Sequence, residues 1–354
     1  MKNMDKFLSL LGDEVDALLL TSRYSRHYCA EFDIAEGVAI VTKAGCRYFT
    51  DSRYIESAQN SIQGFEVLEM NRDNDYIKRL NAAIRDFGVF RLGFEENYLS
   101  VAEYNYYTEN LQAALVPFNR QINGFRGVKE PWELDLMRKA QAITDKAFAD
   151  VLSRIQVGQT ELELQAELIY CLYKNGSEGL AFNPIVVSGP KTSMPHGVPG
   201  DRVIREGDFI TMDFGASCQG YCADMTRTVA VGYATEEMKT VYNTVLEAQK
   251  AALAISKAGV PGRDIDAAAR KVITDAGYGP YFGHGYGHGV GMEIHEDPNP
   301  NPANADPMPL NAIASAEPGI YIPGKFGVRI EDVTIYREDG VENITASPKN
   351  LIIM

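Results

Sequence analysis

Two stretches of this 354-residue chain set carboxylates in mirrored pairs. In "DFITMDFGASCQGYCADMTRTVAV" both flanks have strand character and "SCQG" is turn-like, so an antiparallel hairpin is predicted, centred between Cys218 and Gln219. Asp213 and Asp224 are equidistant from that centre, which makes them cross-strand neighbours with Cβ atoms ~5 Å apart. The pattern recurs in "AEPGIYIPGKFGVRIEDV", where "PGK" supplies the turn and Glu317 and Glu331 are equidistant from Gly324. Arg329, two residues before Glu331, projects to the same side of its strand. A solvated sheet edge tolerates one such pair, because water and salt screen the repulsion. Two pairs inside apolar or glycine-rich strands call for a shared cation.

A third stretch, "GHGYGHGVGMEIHE" from Gly283 to Glu296, holds three of the chain's five histidines. His284 and His288 have the i, i+4 spacing of helical zinc ligands, but each interleaved glycine costs a helix about 1 kcal/mol relative to alanine. An extended strand is predicted instead, its glycines allowing close approach to another backbone or a ligand. The glycines never satisfy G-x-G-x-x-G, and "HEDP" lacks the second histidine of H-E-x-x-H, so dinucleotide binding and a helical zinc protease are both excluded. A single histidine here would most simply hydrogen-bond within a tight core; three beside four paired acids point to a site. Four carboxylates with one imidazole form a hard donor set suited to Mn²⁺, with Co²⁺ or Zn²⁺ as alternatives. The donors suffice for two ions ~3.5 to 4 Å apart, a pair that activates water and polarises the carbonyl under attack, so hydrolysis is the natural reaction class.

The elements that must carry these residues are legible as periodicities. In the first third, strand-like "DALLL" (16–20), "GVAIVT" (37–42) and "FEVLEM" (65–70) alternate with helix-like stretches near 74–87 and 100–112, which predicts an α/β layer. Polar and glycine residues at 119–131 suggest a linker. Beyond it Pro131 opens a long amphipathic helix with Leu136, Ala140, Ile143, Ala147, Val151 and Ile155 on one face. "TELE" at 160–163 is a capping box for a second helix ending near Gly176; a third runs from Thr235 to Lys257 and a fourth from Asp264 to Gly277. Strand-rich blocks at 202–232 and 311–337 make this part α+β.

Composition bounds the function. The formal charge of −14 repels phosphate backbones and anionic headgroups, which argues against nucleic acid and membrane surfaces as partners. Asp13, Glu14 and Asp16 interrupt the apolar start, leaving no core for a signal peptide, and no segment approaches the ~18 apolar residues of a membrane span. Five thinly spread cysteines fit reduced thiols and a cytoplasmic location, with Cys218 and Cys222 as packing residues rather than a zinc pair.

The segments "NPIVVSGPKTSMPHG", "DFITMDFGASCQGYCADMTRTVAVG", "GHGYGHGVGMEIHE" and "AEPGIYIPGKFGVRIED", in this order over about 183–335, resemble the pita-bread metallopeptidases: Xaa-Pro dipeptidase (prolidase), aminopeptidase P and methionine aminopeptidase. The N-terminal third, with "FTDSRYIESA" at 49–58, looks like the creatinase-type domain that precedes the catalytic one in Xaa-Pro enzymes and that methionine aminopeptidases usually lack. The resemblance implies an α/β creatinase-like domain over 1–122 and an α+β pita-bread catalytic domain over 123–354. It implies two divalent ions, with Asp213 on one, Asp224 and Glu331 bridging both, and His288 and Glu317 completing the other. It gives His196, His284 and His295 roles in binding substrate and stabilising the tetrahedral intermediate, has Arg329 orient a bridging carboxylate, and makes Glu317 the proton shuttle. Tyr321 is expected to stack with the histidines on the proline ring of a peptide substrate, and a homodimer is usual where the creatinase-type domain is present. Upstream of Glu317 the family commonly carries an apolar strand and Thr-x-Glu, where this chain has "PLNAIASAEPG", a difference in the pocket wall. No particular cation of the first domain is assignable to a dipeptide's C-terminal carboxylate, which leans the reading to an Xaa-Pro aminopeptidase over the dipeptidase. A metal-free creatinase-like enzyme would have replaced the ligand acids, and a non-catalytic relative would carry basic extensions; this chain does neither.

Overall fold

The structure is a computed structural model describing residues 3–34 and 36–354. The chain divides into two compact units, the first ending at Phe125 and the second spanning Arg126–Met354. The division falls inside the stretch expected to be a linker. That stretch is helical, Asn119–Gly124 followed by a 3₁₀ turn Phe125–Gly127, because Phe118 and Ile122, four residues apart, are both buried and anchor one face.

The first unit is built on a six-stranded mixed sheet of β1 (Ala17–Leu20), β2 (Val38–Thr42), β3 (Cys46–Asp51), β4 (Glu66–Met70), β5 (Arg91–Phe94) and β6 (Ala114–Pro117), in the order β4-β3-β2-β1-β5-β6. The pairs β3–β4, β1–β5 and β5–β6 are parallel, as crossover helices require. Helix Tyr76–Phe87 is N-capped by the Asp75 side chain and stopped by Gly88 at φ 67°; helix Val101–Asn110 starts from a Ser100/Glu103 capping box. Both apolar faces of β1 and β2 are buried, so their sequences read as unbroken apolar runs.

The second unit is α+β. Its long helices are Pro131–Leu152, Glu161–Lys174, Glu236–Ile255 and Gly262–Asp275, each within a few residues of the predicted bounds. Thr160 and Glu163 form the expected capping box. The strands are β7 (Gly179–Leu180), β8 (Ile185–Ser188), β9 (Phe209–Phe214), β10 (Ala216–Cys218), β11 (Tyr221–Cys222), β12 (Met225–Ala230), β13 (Ile313–Ala316), β14 (Gly319–Ile322), β15 (Phe326–Arg329), β16 (Asp332–Tyr336) and β17 (Val341–Asn343). Antiparallel ladders join β8–β9–β12, β7–β10–β11, β13–β16–β17 and β14–β15.

Two cores hold the ladders in place. Ala147, Phe148, Leu164 and Leu168 of the first two helices pack on Val186, Met212 and Met225. Val241, Tyr242, Val245, Ile265 and Ala269 of the other two pack on Ile320, Val328 and Ile330. Each fully buried Val, Leu, Ile, Phe or Met among them contributes about 1.5–3 kcal/mol, which fixes which strand face turns inward and so which face carries the acids. Between the ladders, the buried guanidinium of Arg227 on β12 donates to Asp332 Oδ1 (2.8 Å), Ser347 O (2.8 Å) and Pro348 O (3.0 Å), tying β12 to β16. Among the described residues no helix is long and apolar enough to cross a membrane.

Candidate metal centre

The first acidic hairpin turns one residue later than expected. Cys218 pairs with Tyr221, and the two-residue turn is Gln219–Gly220, both with positive φ (48° and 80°), the backbone of a type I′ turn. Glycine tolerates that conformation freely, and glutamine at the first turn position did not signal it. The shift carries through the ladder, so Asp213 faces Thr226 and Asp224 faces Gly215 rather than each other. Asp213 and Asp224 are therefore diagonal neighbours on one face. A Cβ on Gly215 would lie 1.7 Å from Ala223 O, so only glycine admits Asp224 at this point of the strand.

The second acidic hairpin is centred on Gly324 (φ 73°), as expected. Its ladder runs Gly319↔Arg329 to Ile322↔Phe326, and the β13–β16 ladder resumes in the same register at Ala316↔Asp332. Glu317 and Glu331 face each other in the gap between the two.

The glycine–histidine segment is not a regular strand. It runs irregularly beside β13, touching it at isolated bridges such as Gly289↔Ala314. Ser315 N–H donates to His288 O and Glu317 N–H to Tyr286 O, both at 2.8 Å. A Cβ on Gly287 would sit 2.1 Å from Ser315 O, and one on Gly289 2.2 Å from Glu296 O. The glycines thus serve close backbone approach, and that approach, not strand pairing, turns His288 toward the acids.

Asp224, His288 and Glu331 each present a ligand atom within 4.8 Å of the others. His288 Nε2 lies 3.2 Å from Glu317 Oε1 and 3.5 Å from Asp224 Oδ2, while its Nδ1 meets Gly289 O at 3.1 Å. Asp213 accepts from Arg329 Nη2 through Oδ2, and its Oδ1 is buried without a hydrogen-bond partner among the described residues. All five expected ligands border one cavity of 480 Å³ together with His196, His284, His295 and Arg329. Tyr321 is not on that border. Its hydroxyl accepts from Arg329 Nη1 and meets His284 Nε2, both at 2.9 Å, so it stands behind the histidine instead of facing the cavity.

Charge is the governing feature. Burial pushes the Asp213, Asp224 and Glu331 carboxyls above the usual carboxylate range, and the neighbouring carboxylates add to this. Burial opposes ionisation of Glu317 most strongly, but the hydrogen bond to His288 and the nearby positive charge together outweigh it and hold the group at about 2. Burial is likewise the largest influence on His288 and disfavours its charge, yet the Glu317 bond, the charges of Glu317 and Glu331 and the bond to Gly289 O together raise it to about 9. His284 and His295 are held below their ordinary value, chiefly by burial, and are neutral at pH 7. A cluster that draws protons into a buried oxygen-rich cavity, with one carboxylate oxygen unpartnered, fits divalent cations.

Sequence reasoning missed two hydroxyls. Thr226 Oγ1 donates to Glu331 Oε2 (2.6 Å) and accepts from Arg329 Nε (2.9 Å), so Arg329 orders both Asp213 and, through Thr226, Glu331. Ser315 Oγ donates to Glu317 Oε1 (3.1 Å) and accepts from His288 N (3.0 Å). Each lies two positions from an acid on the same strand, a spacing that places them on the acids' face. Cys222 packs its thiol against Met292 O at 3.6 Å, and both it and Cys218 are free thiols.

The comparisons with known proteins point the same way. Residues 5–128 match the Creatinase/Prolidase N-terminal domain and residues 135–338 match Metallopeptidase family M24. The chain is 32% identical to an Xaa-Pro dipeptidase of Pyrococcus horikoshii, over 96% of this chain and 95% of that one. Among solved structures it resembles an Xaa-Pro dipeptidase from Bacillus anthracis (TM-score 0.95, 39% identity, 100% and 99% of the two chains). It also resembles an X-Pro aminopeptidase from Thermotoga maritima (TM-score 0.92, 35% identity, 99% and 100%). Three buried acids and a partly buried fourth, one imidazole and the match over 135–338 lead to one conclusion: the chain belongs to metallopeptidase family M24, a pita-bread metallo-exopeptidase preceded by a creatinase/prolidase N-terminal domain.

Proposed function

We propose that the protein hydrolyses the bond between an N-terminal residue and a following proline, and that its preferred substrates are Xaa-Pro dipeptides. The observation that carries the reading is the ring of Asp213, Asp224, His288, Glu317 and Glu331 around one cavity, with Asp213 Oδ1 left over for a cation. These five would hold the divalent ions, two by this reading. The hard donor set favours Mn²⁺, with Co²⁺ or Zn²⁺ as alternatives. When bound, such ions supply Lewis-acid polarisation of the scissile carbonyl and activation of water.

The chain's own residues do the rest. Arg329 fixes Asp213 directly and Glu331 through Thr226, so neither carboxylate drifts as charge develops. Glu317, ionised and steadied by Ser315, is the base in this reading, and its protonated form returns the proton to the leaving nitrogen. A bond to proline needs that return, because its tertiary nitrogen carries no hydrogen. Neutral His284, backed by Tyr321, with His196 and His295 on the cavity border, would bind the peptide and steady the tetrahedral oxygen.

The names of the Pyrococcus and Bacillus relatives support the dipeptide preference, and the Thermotoga relative supports longer peptides. Metal-stripped protein restored with Mn²⁺, Co²⁺ or Zn²⁺ is assayed on Xaa-Pro and Xaa-Pro-Xaa. Cleavage of the dipeptide is expected; cleavage of the tripeptide alone assigns an aminopeptidase, and cleavage of neither refutes the reading. The homodimer implied by the first domain is part of the same proposal, and light scattering of the purified protein checks it.

A further inference from the structure

Gln249, on the helix Glu236–Ile255, is wholly buried and has no place in the chemistry above. Its Nε2 donates to Ala316 O at 2.8 Å and to Ile330 O at 3.2 Å. Both partners are carbonyl oxygens, so the amide nitrogen is the end that faces them. They belong to the residues immediately before Glu317 and Glu331.

The register explains the arrangement. Ala316↔Asp332 and Gly319↔Arg329 share one register, so Pro318 faces Ile330. An antiparallel ladder alternates hydrogen-bonded and non-hydrogen-bonded pairs. Tyr336 N–H donates to Ala312 O at 2.9 Å, which makes that pair a bonded one. Counting on in twos, Ala316/Asp332 and Pro318/Ile330 are also bonded positions, and Glu317/Glu331 between them is not. The amides of Glu317 and Glu331 accordingly point outward, to Tyr286 O (2.8 Å) and Thr226 O (3.1 Å). Pro318 has no N–H, so the Ile330 carbonyl lacks its ladder donor at the point where the hairpin passes the two acids.

We infer that Gln249 is a positioning residue for the divalent-cation site: its amide replaces the hydrogen that Pro318 cannot supply and clamps the backbones that carry Glu317 and Glu331. The inference rests on the metal-centre reading proposed above. Gln249 Oε1 is buried without a partner among the described residues, so exchanging the amide for an apolar side chain of similar size removes one unsatisfied group while leaving another, the Ile330 carbonyl. The fold is therefore little affected and the site is.

The test compares wild type with Gln249→Leu, Pro318→Ala and the double variant. Each is stripped by chelator and titrated with Mn²⁺ by calorimetry, with metal-free melting temperature and kcat and KM on an Xaa-Pro peptide measured alongside. Gln249→Leu is expected to weaken Mn²⁺ binding ~10–100-fold and lower kcat, with KM within about twofold and the metal-free melting temperature little changed. The double variant regains most of the affinity, because alanine at 318 restores an N–H opposite Ile330 O. Gln249→Leu binding Mn²⁺ as tightly as wild type, or a double variant no better than Gln249→Leu, overturns the inference. Gln249→Met, unbranched and as long, carries the same expectation if Gln249→Leu does not yield folded protein. A wild type that takes up no divalent ion overturns the metal-centre reading instead.

Discussion

Asp224→Asn separates the cation's contribution from that of the fold, because the substitution keeps the shape and removes one charge. The ligand atoms of Asp224 and Glu331 are at most 4.8 Å apart, so the two ionised groups repel by at least about 3.5 kcal/mol at an effective dielectric of 20. In metal-free protein the cluster avoids this by retaining protons. Burial first, and then Glu331 and Asp213, raise the Asp224 carboxyl well above its ordinary value. A raised acid means that the folded state binds more protons than the unfolded one above the ordinary carboxyl range, so metal-free stability falls as pH rises. Asparagine removes that liability. In chelator at pH 7, D224N should be more stable than wild type, by less than the full repulsion because retained protons already relieve part of it, and its stability should decline less between pH 5 and 8. With Mn²⁺ the order inverts: wild type gains stability by binding, while D224N binds at least ~100-fold more weakly and loses turnover to a similar degree. Denaturant titrations with and without metal across that pH range, beside a peptide assay, read all of this. A fully active D224N, or one less stable than wild type in chelator, would remove Asp224 from the centre.

Three further outcomes are expected. Gly287→Ala places a methyl 2.1 Å from Ser315 O and should cost about 2 kcal/mol or more and displace His288, whereas Gly283→Ala, with nothing within 4 Å, should be near neutral; urea melts of the two variants compare them. Glu342 is held at about 2, chiefly by its hydrogen bond to Arg138 and then by Arg337. A lowered carboxyl stabilises above its unfolded value and loses that contribution as pH falls from ~5 toward 2, and since the side chain is 37% exposed the effect is about 1 kcal/mol, so Glu342→Gln should be weaker than wild type by that much at pH 7 and equal to it near pH 2. Arg329→Lys keeps the charge but lacks the fork that reaches Asp213, Thr226 and Tyr321 together, so Mn²⁺ affinity should drop ~10–100-fold by calorimetry, and an unchanged affinity would contradict the ordering role of the guanidinium.

The order and type of the long helices and strands could be read from local pattern, because capping boxes, glycine stops and periodicities act within a few residues. The mirrored acids could be read for the same reason: a turn plus a period of two decides which residues share a face. The limits were also local. Gln219 does not advertise its positive φ, so the first hairpin was placed one residue early and its aspartates directly opposite instead of diagonal. The segment 119–131 looked like a linker because its polar letters conceal one buried aliphatic anchor, Ile122, which works with Phe118 just before the segment.

By itself, then, the sequence determined which acids share a face of each hairpin and which reaction class they propose, since these depend on residue type and on distance along the chain. Only the tertiary structure decided which groups meet across long separations: Arg329 with Asp213, Thr226 with Glu331, Ser315 with His288, and Gln249 with the carbonyls beside Pro318. Those contacts follow from how the ladders lie side by side and which helix covers them, and packing of the two cores, rather than any local signal, sets that arrangement.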